Sequence, residues 1–196
     1  VFGNEGDDWI EGGSGNDLLQ GDNGDPFQVS PLKGNDVLIG DGGDDDFDAE
    51  SGDDIMVAGA GIDRLEGMLG FDWVTYKNET AGIEADMDVR VFAPPPLPGS
   101  PNAFLDRFDL VEGLSGTAFS DILRGDDADA LTMIGHELTN FGLIYGLKDG
   151  PNPFFHPELP MFTGGNILLG GAGSDVIEGR GGNDIIDGDA WLNVRL

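Results

Sequence analysis

The sequence predicts an all-β chain wound as a flattened spiral of short parallel strands, and three observations predict it. Glycine and acidic residues recur with a nine-residue period, one large apolar residue holds the same place in each period, and cysteine is absent, so no disulfide ties the turns together.

The chain of 196 residues carries 34 Gly and 38 acidic residues against 9 Lys plus Arg, a formal net charge of −29. That much like charge expands a compact state unless counter-ions neutralise it. A disordered acidic tail is one reading, but 39% hydrophobic residues at fixed spacing favour a folded, cation-neutralised chain. Nucleic acid and anionic membrane are excluded as partners, because clustered Lys and Arg are missing. No apolar run approaches the ~20 residues of a membrane span, so membrane insertion is not expected. The chain opens at Val1 inside a repeat with no standard signal peptide, and reads as part of a longer protein.

The repeats read GNEGDDWIE from Gly3, GGSGNDLLQ from Gly12, GDGGDDDFD from Gly40, AESGDDIMV from Ala49, AGAGIDRLE from Ala58 and GMLGFDWVT from Gly67. Each fits G-G-x-G-x-D-x-U-x, with U apolar. One further repeat begins at Gly21 and is completed by Gly34 to Ile39 around a loop insertion, 24–33. The pattern fades after Thr75, resumes at GLSGTAFSDILRG from Gly113, and resumes again as GGNILLGG from Gly164, GGAGSDVIE from Gly170 and GRGGNDIID from Gly179. The expected organisation is a first roll segment 1–75; a strand and Pro-rich connector 76–114; a second roll segment 115–127 plus 164–189; an insertion 128–163; and a C-terminal cap 190–196, whose apolar AWLNVRL would cover the last turn.

Ca²⁺ takes six to eight oxygens, from carboxylates and backbone carbonyls, at about 2.3–2.6 Å. A loop rich in glycine supplies carbonyls because glycine tolerates positive φ, and the sixth-position acid supplies charge. The candidate metal ligands are Asp8, Asp17, Asp36, Asp45, Asp54, Asp63, Asp72, Asp121, Asp175 and Asp184, with Gly3, Gly12, Gly21, Gly40, Gly170 and Gly179 shaping the loops. Asn166 breaks the acid series. The x-U-x triplet after each acid makes a short strand whose U points to one face. Two nonapeptides complete one turn, with ions between successive loops on each edge and roughly eight Ca²⁺ in all. The architecture is thus a parallel β-roll, a solenoid of calcium-binding nonapeptides interrupted by two insertions.

The expected interior is Ile10, Leu19, Leu38, Phe47, Met56, Leu65, Val74, Leu123, Leu168, Ile177 and Ile186. One large side chain per nine residues is a thin core against an ordering cost of ~1–2 kcal/mol per residue, so metal is expected to supply the difference. Ile83, Ala85, Met87, Val89 and Val91 alternate with polar residues as a strand does. Leu131, Ile134, Leu138, Phe141 and Tyr145 fall at helical spacing and predict a short amphipathic helix in the second insertion. Trp9, Phe71 and Trp73 occupy outward strand positions, where packing beneath the insertions is favoured over an exposed contact surface.

These residues resemble the repeats-in-toxin (RTX) family, over 3–75, 113–127 and 164–189. The resemblance implies a module that folds on meeting calcium outside the cell, is exported by type I secretion machinery through a signal near the end of the full protein, and supports adjoining domains of the parent chain. HELTNFGLI (136–144), the 164–189 repeats and AWLNVRL are further similar to the calcium-binding region of bacterial secreted proteins that carry an animal-type haem peroxidase domain, which implies a peroxidase-bearing parent.

The segment itself reads as no enzyme. His136 and His156 lack an H-E-x-x-H partner pattern and are expected to be surface or packing residues, and no G-x-S-x-G elbow occurs. Asp25-Pro26 is read as part of a loop. The expected function is a secreted calcium-binding module aiding export and stability of an attached domain. The alternative is a surface module binding a glycan or protein through 76–114 and 128–163.

Overall fold

The computed structural model describes residues 1–24, 34–94, 97–139, 141–145 and 161–196. Asp25-Pro26, the rest of the first loop insertion, Phe154-Phe155 and His156 lie outside them. Each x-U-x triplet of the repeats lies in a strand, most of them three residues long, while those at Trp9–Ser14 and Val37–Gly42 continue through the following glycines for six. The first segment holds β1 (Trp9–Ser14), β2 (Leu18–Gln20), β3 (Val37–Gly42), β4 (Asp46–Asp48), β5 (Ile55–Val57), β6 (Arg64–Glu66) and β7 (Trp73–Thr75). Then come β8 (Glu84–Asp86), β9 (Arg107–Asp109), β10 (Gly113–Ser115), β11 (Ile122–Arg124) and β12 (Ile144–Tyr145). The last are β13 (Ile167–Leu169), β14 (Val176–Glu178), β15 (Ile185–Asp187) and β16 (Trp191–Leu192).

Alternate strands build opposite faces of a parallel β-roll. One face is a seven-stranded sheet, β1-β3-β5-β7-β10-β13-β15, which runs unbroken through both stretches of repeats. Its register stacks Ile10, Leu38, Met56, Val74, Leu114, Leu168 and Ile186 in one column. The opposite face holds β2-β4-β6-β9, stacking Leu19, Phe47, Leu65 and Phe108, and β8-β11-β14, stacking Ala85, Leu123 and Ile177. Chain order and spatial order part company here. β8 leaves the first segment to pair with β11, and the chain returns so that β9 fills the place beside β6, while Arg90 bridges Phe108 and links the two stacks.

The interior column is buried from Ile10 to Leu168, but Ile177 is only partly buried and Ile186 is 49% exposed. AWLNVRL does not cover this last turn. It folds back so that β16 pairs antiparallel with β12, and the Leu192 N–H donates to Ser115 Oγ at 3.1 Å.

Two further expectations are revised. Among the described residues of 131–145 the expected helix is not found: turns occupy 130–135, Leu138 bridges Phe162, a 3-10 turn spans Phe141–Leu143, and β12 follows at once. Of the residues at helical spacing, Leu138 is buried against the roll while Leu131, Ile134 and Tyr145 are exposed; the inward apolar residues are Met133, Leu138, Leu143 and Ile144, brought in without a helix carrying them. Nor is the core a single thin stack. Outward side chains of the seven-stranded sheet, Val37, Ile39, Ile55, Val57, Trp73, Ile167 and Leu169, form a second core with residues of the second insertion and the tail. Phe71 and Trp73 are buried there with ring centroids 5.3 Å apart, whereas Trp9 stays half exposed. Among the described residues no helix is long and apolar enough to cross a membrane.

Candidate metal centre

The sixth-position aspartates form two columns, one on each loop edge. On the first edge the backbone N–H of Asp8 donates to Asp36 Oδ1 at 2.8 Å, that of Asp36 to Asp54 Oδ1 at 2.7 Å, and that of Asp54 to Asp72 Oδ1 at 2.9 Å. On the second, Asp17 donates to Asp45 Oδ1 at 2.8 Å and Asp45 to Asp63 Oδ1 at 2.9 Å. One oxygen of each receiving carboxylate thus closes the ladder between rungs. The other oxygen, Oδ2, is buried without a hydrogen-bond partner at Asp8, Asp17, Asp36, Asp45, Asp54, Asp63 and Asp72. A buried carboxylate oxygen left this way is costly.

First-position glycines complete the cradle. A Cβ at Gly40 would lie 2.5 Å from Asp45 Oδ2 and 2.6 Å from the Ala58 carbonyl oxygen; at Gly170, 2.5 Å from Asp175 Oδ2 and 2.8 Å from the Gly188 carbonyl. At Gly3, Gly12, Gly21 and Gly179 it would likewise meet the Oδ2 of Asp8, Asp17, Asp36 and Asp184. The missing Cβ leaves carboxylate and carbonyl oxygens of stacked loops around one point. Farther out, Gly52 adopts φ 144, and a Cβ there would overlap the Gly34 carbonyl oxygen of the neighbouring loop; only glycine permits that approach. Among the described residues no three His, Asp or Glu side chains converge as a side-chain metal cluster. The oxygen set is one carboxylate per loop plus carbonyls, the hard-oxygen chemistry Ca²⁺ prefers.

Electrostatics point the same way. Burial first, and then neighbouring carboxylates against the opposing backbone hydrogen bond, push Asp36 up to about 7 and Asp63 up to about 8. Burial likewise holds Asp54 and Asp72 well above the usual carboxylate range, and raises Asp45 and Asp184. Without a cation, burial favours the protonated form at Asp36, Asp45, Asp54, Asp63 and Asp72.

The remaining candidates differ. Asp175 and Asp184 lie in more exposed loops and continue the ladders, accepting from Asp121 N–H at 3.0 Å and Asn166 N–H at 2.9 Å. Asp121 is buried, but its Oδ2 already accepts from the Thr117 N–H at 2.7 Å. His136 packs on a loop edge, its Nδ1 3.0 Å from the Gly70 carbonyl and 3.3 Å from Glu112 Oε1.

Two sets of residues escaped the sequence reading. Asp106 and Glu112 extend the columns, accepting from Asp63 N–H at 2.8 Å and Asp72 N–H at 2.9 Å. Their signal was the surviving acid-x-U-x half of the repeat, Asp106-Arg107-Phe108 and Glu112-Gly113-Leu114, without its glycines. Fifth-position residues build an outer ladder: Asp7 accepts from Asn35 N–H, Asn35 from Asp53, Asp53 from Phe71, and Asn16 from Asp44. The recurrent Asn or Asp before the sixth-position acid was the visible clue.

Compared with known protein families, the chain matches the RTX calcium-binding nonapeptide repeat in four copies, over residues 1–25, 32–56, 57–75 and 162–190, half its length. No match is found among curated proteins. Matched repeats and stacked aspartate loops coincide in 1–24 and 34–75, where the orphaned oxygens lie, and on that footing the chain belongs to the family of RTX calcium-binding repeat proteins, as a calcium-binding β-roll module.

Proposed function

We propose that this module orders the first stack of its roll by binding Ca²⁺ between consecutive loops of each edge, and that in the parent protein it acts outside the cell, stabilising an adjoining domain after type I export. The observation that carries the reading is the row of seven buried, orphaned Oδ2 atoms. Asp8, Asp36, Asp54 and Asp72 on one edge, and Asp17, Asp45 and Asp63 on the other, would hold the ions together with loop carbonyls. Bound calcium supplies positive charge that offsets the cost of burying carboxylate here. The exposed Asp175 and Asp184 loops would contribute the rest of the roughly eight ions that the repeat count suggests. No residue is assigned a catalytic role. An animal-type haem peroxidase is the attached domain this reading proposes, from the sequence of 136–144 and 164–196 alone.

Circular dichroism and thermal melting during a calcium titration test the core of this proposal. Much of the strand signal should be lost in excess chelator and return cooperatively with calcium, at about 10⁻⁴–10⁻³ M for an extracellular module. An unchanged spectrum and melting curve in chelator would overturn it. Adhesion through the insertions is the second reading, favoured by the exposed Phe92, Leu97 and Phe104; insertion-dependent binding on a glycan array would promote it.

A further inference from the structure

The lone pairs that the first stack leaves open are filled in the middle of the roll by the protein's own donors. Among the described residues, no buried carboxylate oxygen beyond Asp72 lacks a partner. Asp106 Oδ2 accepts from the Tyr76 hydroxyl at 2.7 Å, and Asp121 Oδ2 from the Thr117 N–H and hydroxyl at 2.7 and 3.1 Å. Asp126 Oδ2 accepts from Arg90 Nη2 at 2.8 Å, and its Oδ1 from Asn166 Nδ2 at 3.1 Å. The acid position at residue 166 is itself an amide, which adds no charge to its column.

Arg180 completes the pattern. It occupies the second position of its nonapeptide, with φ 67, and its guanidinium grips both oxygens of Asp86 at 2.6 and 2.8 Å. The same Nη1 donates to the Gly125 carbonyl at 2.7 Å. A fixed cation here joins a carboxylate and a loop carbonyl from different rungs, the two ligand types that converge at the first-position glycines of the first stack. The pair is mostly shielded, with 19% and 11% of the two side chains exposed, so it is not a screened surface bridge. Although burial pushes Asp86 up, the Arg180 hydrogen bonds and charge carry it below the ordinary carboxylate value. Three of the nine Lys and Arg of this strongly acidic chain, Arg90, Arg124 and Arg180, fall on these rungs. The same region is sandwiched between two cores, with Leu114 and Leu168 inside and Ile167 and Leu169 outside.

We infer that the rungs of β8, β11 and β14, with β10 and β13 opposite them, form a platform that stays ordered without calcium, in which Arg180, Arg90, Thr117 and Asn166 satisfy the buried carboxylates that ions satisfy in the first stack, and whose order does not require the ions at the outlying Asp175 and Asp184 loops. The inference rests on the calcium reading of that first stack. The roll then has two regimes: a self-neutralised middle that stays ordered when calcium is withdrawn, and a calcium-dependent stack, β1 to β6, built against it.

Hydrogen exchange read by mass spectrometry on the full chain separates the possibilities. In excess chelator, amides of 84–86, 122–124, 167–169 and 176–178 should stay about tenfold or more better protected than those of 37–39, 46–48 and 55–57. Equal and complete exchange of both sets in chelator overturns the platform and leaves the calcium reading standing. Equal protection of both sets in chelator overturns the calcium reading. Arg180→Gln should lower protection of 122–124 and 176–178 in chelator by about tenfold, with 37–57 unchanged in calcium. Arg180→Lys, which keeps the charge and loses the two-pronged grip, should fall between. Wild-type exchange in both variants under chelator would overturn the role of Arg180.

Discussion

Asp54 is fully buried, accepts the Asp36 N–H through one oxygen and has no partner for the other. An amide can take this position, as Asn166 does in the same column, where its Oδ1 accepts the Asp126 N–H at 2.8 Å. Asp54→Asn should therefore keep the ladder bond while deleting a buried like charge. In chelator near neutral pH the variant should be more stable than wild type by about 1 kcal/mol, and its calcium midpoint should move several-fold higher. Melting with and without calcium checks both, and a variant that binds calcium as well as wild type would remove Asp54 from the ligand set. The acid column was legible in the sequence because every sixth position from Asp8 to Asp72 is an aspartate, at a nine-residue step that only the 24–33 insertion interrupts. Asp106 and Glu112 were not, since the glycines that mark a repeat are missing around them.

At the scale of elements, the strands followed from x-U-x spacing, while the second insertion was misread. Leu131 and Leu138 both fit a helical stripe, yet Leu138 is fully buried in the outer core and Leu131 is 77% exposed. Helical periodicity reports which residues are apolar, and here burial is decided by where a turn and a bridge place them against β7 and β13. Leu138→Ala should cost about 2–5 kcal/mol, whereas Leu131→Ala should stay within about 0.5 kcal/mol. Denaturant unfolding at fixed saturating calcium measures both, and equal effects would contradict the outer core. The same core alters the energetic picture: a stack of single U residues would be thin, but β3, β5, β7 and β13 each bury side chains on both faces.

For the whole molecule, the net charge of −29 and the raised carboxylates make stability a function of pH. Asp106, Asp36 and Asp63 are pushed up chiefly by burial, to about 6, about 7 and about 8, from an ordinary value of 3.8. A folded-state value above the unfolded one means the fold holds protons that the unfolded chain releases. Metal-free stability is therefore retained toward pH 4 and lost as pH rises through this range. The melting temperature in chelator should fall steadily from about pH 5 to about pH 8, while calcium, which favours the ionised carboxylates, should abolish or reverse the trend. A metal-free melting temperature that rises across that interval would show the columns to be solvated, not buried.

The sequence by itself determined the nonapeptide period, the strand and loop within each repeat, the inward column and the hard-oxygen chemistry of the acid position. These are local properties, repeated until their register is unambiguous. Only the tertiary structure decided that β9 takes the place beside β6, that insertion and tail cover the outer face of the seven-stranded sheet, and that Arg180 reaches Asp86 across 94 residues of chain. Those contacts join segments with no shared period, so their partners are chosen by long-range packing and charge, which a local pattern does not encode.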